Sequence, residues 1–208
     1  DTSDGILLVD NQRLGYEDAA EGRFSEYNEY IAGSIVDLVA GPVIERIDPG
    51  DYENIDAPII DVQDIVTSLS YDDGGSRRAG YGTFGRAVQM TKSLPGYFLP
   101  VVGQQEIDAA EMAYLAQAKQ SVEDLTFADA DKALANVRAP ESYITEGEYQ
   151  IKVSEIRRRL REHTSEVNLG MVPSKRNLVS CTTLYTFERE DLNRIQQIES
   201  IAEAYASA

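Results

Sequence analysis

The sequence predicts an all-α protein, an antiparallel bundle of about six helices led by an irregular N-terminal arm. Three observations predict it. Residues 145–167 place Tyr149, Val153, Ile156, Leu160, His163 and Val167 at steps of 4, 3, 4, 3 and 4, the spacing of one helical seam. Apolar residues recur at similar intervals in most other segments, separated by Pro and Gly breaks. Strand signals are poor, with only Ile6 to Val9 and Leu178 to Phe187 rich enough in apolar or β-branched residues.

In chain order, residues 1–15 are polar apart from Ile6, Leu7, Leu8 and Val9, and read as an extended arm. A first helix is expected from Tyr16 to about Ala40, with Phe24, Tyr27, Ile31, Ile35 and Leu38 on one face and Gly41-Pro42 breaking it. A second, about 57–70, has Pro58 in its first turn and a stripe of Ile59, Val62, Ile65, Val66 and Leu69. Residues 71–82 are a Gly-rich loop. A third helix is expected over 83–94, then a long one over 104–124 lined by Ile107, Ala110, Tyr114, Ala118 and Val122. Thr126 would cap a continuation carrying Phe127, Ala130, Leu134 and Val137, stopped by Pro140. Thr145 and Glu148 stand in capping-box relation ahead of the main seam. Residues 178–187 fit a helix or a short extended run. Leu192, Ile195, Ile198, Ala202 and Tyr205 mark a final helix. The organisation expected is an arm (1–15), an N-terminal helical region (16–103) and a C-terminal bundle region (104–208), the last two forming one domain or two.

Composition narrows function. The chain has 208 residues, 42% hydrophobic and 26% charged, with a net charge of −17, which is ordinary for a globular protein and unsuited to nucleic acid. Fourteen Arg against five Lys, with carboxylates spread throughout, resembles a salt-adapted composition. One cysteine excludes an internal disulfide, and no apolar run of about 18 residues exists, so no direct membrane insertion is expected. Asp1, with neither Met nor a signal-like segment, reads as a processed terminus.

No constellation carries recognisable catalysis. His163 is the sole histidine and falls on a core-facing seam. Cys181 sits in apolar surroundings as an inert thiol. The glycines of 72–85 lack the Lys-Ser/Thr ending of a phosphate loop, and the Asp129/Asp131 pair lacks the rest of a calcium loop. No catalytic residue, metal ligand or cofactor is therefore expected. The informative cluster is Arg157, Arg158, Arg159 and Arg161. Glu155 and Glu162 can pair with Arg159 and Arg158, leaving Arg157 and Arg161 for a partner. With Ile6, Leu7 and Leu8 of the arm, these arginines are the expected partner-binding residues.

The acidic, Trp-free, Tyr-rich make-up, the leading arm, and segments such as FADADKALANVRAP and SEIRRRLREH resemble PsbQ-like helical extrinsic subunits of photosystem II, over about 104–208. That resemblance implies a non-enzymatic subunit of the thylakoid lumen, without a cofactor, docked on a larger membrane-embedded photosystem complex. The alternatives are a structural protein of a virion or secreted array, and a helical enzyme with a dispersed active site.

Overall fold

A computed structural model describes residues 3–11, 20–47, 58–92, 104–145 and 147–207. The first correction is to fold class. Among the described residues six strands form one mixed sheet with helices on both faces, so the protein is α/β and not an all-α bundle. The strands are β1 (Gly5–Leu7), β2 (Ser70–Asp73), β3 (Ser76–Met90), β4 (Lys132–Ala139), β5 (Glu166–Pro173) and β6 (Leu178–Phe187). The helices are α1 (Ala20–Ile47), α2 (Val62–Leu69), α3 (Ala109–Ala118), α4 (Glu141–Ile144), α5 (Val153–Leu160) and α6 (Asn193–Ala206). The spatial order is β1-β3-β6-β4-β5, with β2 added to β3 as a hairpin. β6 runs antiparallel to both β3 and β4, whereas β1 with β3 and β4 with β5 are parallel pairs.

The parallel β4–β5 pair needs a crossover, which α4 and α5 supply. Here the expected seam is divided: Ile156 and Leu160 are buried on α5, while Val167 belongs to β5. Thr145 and Glu148 form no capping box, because α5 starts at Val153 with Lys152 ahead of it; Thr145 instead closes α4, its N–H and hydroxyl both donating to the Glu141 carbonyl. Residues 83–90, expected as a helix, are the long strand β3. The expected continuation after Thr126 is one 3-10 turn, Phe127–Asp129, followed by β4. Central strands bury both faces, so they do not alternate, and an Ala-rich one such as β4 carries high helix propensity in its composition.

Other expectations meet the structure more closely. α2 starts at Asp61, whose carboxylate accepts the Asp64 N–H (2.7 Å) while Asp64 accepts from Asp61 N–H (3.0 Å), a capping box. Pro58 lies outside that helix, and its carbonyl accepts from Met171 N–H of β5. Helix α1 runs through Gly41-Pro42, the expected break. The boundaries near residues 48–57 and 93–103 lie outside the described residues.

Two cores flank the sheet. On one face, Ala133, Ala135, Val137 and Ala139 of β4 and Val179, Cys181, Tyr185 and Phe187 of β6 meet Met112, Ala113 and Ala116 of α3 and Ile156 and Leu160 of α5. On the other, Phe84, Leu134 and Leu184 meet Leu38 of α1, with Ile60, Ile65 and Leu69 beside them. Gly85 is required by the first face: a Cβ there would stand 2.0 Å from the Ala116 carbonyl oxygen.

Candidate functional site

The feature that organises the second face is a buried carboxylate. Asp37 of α1 has a side chain only 2% exposed, pointed at the sheet. Its Oδ2 accepts from Arg86 Nε of β3 (2.7 Å) and Ser180 Oγ of β6 (2.7 Å), and its Oδ1 from Arg138 Nη1 of β4 (2.8 Å). The Asn136 amide donates to the Asp37 carbonyl, so three strands grip one residue of the helix. Burial alone would raise the Asp37 pKa. Hydrogen bonds from Arg138 and Ser180, with the Arg86 charge, outweigh it and hold the carboxyl below its ordinary value. Tyr30 adds a further tie, donating to the Lys119 carbonyl and accepting from Arg86 N–H (2.7 Å).

Sequence reasoning missed this lock. It placed Phe24 and Ile35 on the buried side of α1, yet both are exposed, and Ser34 and Asp37 are buried instead. An acid becomes a core residue here only because arginines 49 and 101 positions away meet it. No local pattern holds that information.

The expected partner-binding residues separate into two places. Arg157, Arg158 and Arg161 are exposed along the last turn and cap of α5 and make no ion pair among the described residues. Arg159 differs: it is half-buried, pairs with Glu162, and lies 5.3 Å from the Tyr114 ring centroid, so it braces α5 on α3. The Glu155–Arg159 and Arg158–Glu162 pairs allowed by spacing do not form. Ile6, Leu7 and Leu8 lie on the other side of the sheet order. Ile6 and Leu7 sit in β1, paired with Tyr81 and Gly82, while Leu8 packs on the apolar core. Ser121 Oγ donates to the Leu8 carbonyl and Asp10 N–H to the Ser121 carbonyl, so the arm is a sewn-in strand.

The remaining candidates have structural roles. Gly74 and Gly75 take positive φ (64° and 96°) in the β2–β3 turn, which explains the Gly-rich stretch without a phosphate. Burial, with Asp37 adding to it, pushes the Cys181 thiol up to about 12, an inert state. His163 packs on Phe127 with ring centroids 5.7 Å apart. Among the described residues no group of three or more His, Cys, Asp or Glu is arranged for a metal.

The fold of this chain is shared by solved CetZ and FtsZ structures. The chain is similar to CetZ2 from Haloferax volcanii, solved as a GTPγS-bound protofilament, at 19% identity and a TM-score of 0.66, covering 99% of this chain and 53% of that one. CetZ1 from the same organism, a GDP-bound monomer, gives 17% and 0.65 over 98% and 51%. An FtsZ from M. jannaschii gives 16% and 0.52 over 90% and 48%. The chain thus spans about half the length of the structures it matches. No protein-family model and no curated protein sequence matches it.

These matches overturn the resemblance to PsbQ-like subunits, and with it the lumenal address, the photosystem partner and the docking-subunit reading. The helical-enzyme alternative falls with the all-helical premise, and the virion or secreted-array alternative loses the mobile arm it called for, since Gly5–Leu7 pair with β3. The expectation of a non-enzymatic subunit rested on that resemblance and is withdrawn with it; the matched CetZ structures were solved with GTPγS in one case and GDP in the other.

Proposed function

We propose that this chain is part of a GTP-dependent filament-forming protein, a GTPase whose partner is further copies of itself. The supporting observation is the fold likeness to a GTPγS-bound protofilament over 99% of the chain. GTPγS on one relative and GDP on another are the two sides of γ-phosphate hydrolysis. In this reading the described residues supply the frame for assembly. Helix α1, 28 residues and about 42 Å long at 1.5 Å per residue, acts as a strut. Asp37 pins it to β3, β4 and β6, so a displacement at either end of the helix reaches the whole sheet. Its outer side leaves Ile35, Val36 and Val39 exposed, an apolar strip suited to a neighbouring folded body.

Sedimentation and electron microscopy of the natural gene product with GTP, GTPγS or GDP test the proposal. Filaments that pellet with GTP or GTPγS and fall apart as phosphate is released support it. Absence of nucleotide-dependent pelleting, together with no phosphate release, would falsify it.

A further inference from the structure

Among the described residues, two exposed patches of opposite sign hold charges that make no ion pair. The first is the α5 face of Arg157, Arg158 and Arg161, three exposed guanidinium groups in a protein of net charge −17. The second is an acidic corner where β6 passes into α6. There Asp129 and Glu190 are exposed and make no ion pair among the described residues, and half-buried Asp191 follows Glu190 in the turn ahead of α6. Nearby cations are already committed: Arg78 pairs with Glu188, Arg189 with Glu199, and Lys132 with Glu166. The crowding is visible in Asp191, whose carboxyl is raised above its ordinary value by burial and by Asp129, Asp131, Glu188 and Glu190.

We propose that the face of Arg157, Arg158 and Arg161 is a docking surface for a second copy of this chain, and that it receives that copy's acidic corner of Asp129, Glu190 and Asp191. The choice of a second copy rests on the self-assembly reading above and on complementarity: each copy carries both the unmatched bases and the unmatched acids. Arginine suits the task because its planar fork grips carboxylates two contacts at a time. One exposed pair contributes little, whereas three guanidinium groups against three crowded carboxylates form a network that also relieves repulsion inside the corner. Arg159 takes no part, since Glu162 and Tyr114 hold it.

Charge reversal tests the contact. Sedimentation velocity at low salt would compare wild type, Arg157→Glu with Arg161→Glu, Asp129→Lys with Glu190→Lys, and an equimolar mixture of the two double variants. All four substituted positions are exposed, and far-ultraviolet circular dichroism checks that each variant stays folded. The expected result is self-association about tenfold weaker for each double variant alone, recovered in the mixture, where reversed patches meet. A mixture that associates no better than its components overturns the proposal, as does a wild-type protein that stays monomeric. Pelleting with GTP, run in parallel, separates the two readings. Nucleotide-dependent filaments indifferent to both reversals would sink this contact alone. Charge-dependent association without any response to nucleotide would sink the filament reading and leave the contact standing.

Discussion

The two faces of the sheet are built on different principles. Under α3 and α5 the interface is apolar and made largely of small side chains: Ala109, Ala113, Ala116, Ala133, Ala135 and Ala139, filled out by Met112, Ile156 and Leu160. Under α1 it is polar at its centre, with Asp37 inside a ring of Arg86, Arg138, Ser180 and Asn136. Apolar packing is non-directional and lets a helix settle wherever volume is filled. A buried ion network has one correct geometry and penalises every other. The first face supplies bulk stability; the second fixes where the long helix sits.

The largest effect should come from breaking the apolar face at its tightest point. Gly85→Val forces a side chain into the Ala116 carbonyl, 2.0 Å from where its Cβ must lie, and should cost about 4 kcal/mol or more in urea denaturation. Next is the polar face: Asp37→Ala leaves two arginines facing a buried void and should cost about 3–5 kcal/mol. The same carboxylate predicts an acid dependence. Because its folded pKa lies below the ordinary value of 3.8, its contribution is complete above that value and disappears as pH falls through the lower folded one. A urea midpoint followed from pH 6 to pH 2 should fall steeply only at the acid end, and Asp37→Asn should remove part of that slope. Leu160→Ala, on the apolar side, should cost about 2–4 kcal/mol with no new pH dependence. The smallest change sharpens the contrast most. Asp37→Leu with Arg86→Met and Arg138→Met should leave stability within about 1–2 kcal/mol of wild type, or raise it. Large destabilisation by this triple change would mean that the ion network carries stability as well as position.

Legibility in the sequence followed the same division. Helix α2 was readable from a local stripe through Val62, Ile65, Val66 and Leu69, but its start was not: Asp61 caps it and Pro58 lies outside. The end of α5 was not readable: the apolar spacing runs on to Val167, whereas the helix stops at Leu160 and Val167 belongs to β5. The glycines of 71–82 suggested a loop, yet only Gly74 and Gly75 turn the chain and the rest of that stretch belongs to β2 and β3. The strands β3, β4 and β5 were opaque. Most of their central residues are buried on both faces, so the period of two that identifies a strand was absent there, and the alanines of β4 match a helix equally well. Asp37 was unreadable in principle, since an acid on a helix is solvated unless distant cations reach it.

The strand order also sets a timetable for synthesis. β3 and β4 never pair with each other; each finds its neighbour in β6. β3 ends at Met90 and β6 begins at Leu178, so at ribosomal speeds of about 5–20 residues per second β3 waits roughly 5–20 s for its partner. During that interval the edge of β3 that β6 will cover is an unpaired template open to other strands. β3 and β4 therefore join one sheet only once β6 has emerged to lie between them.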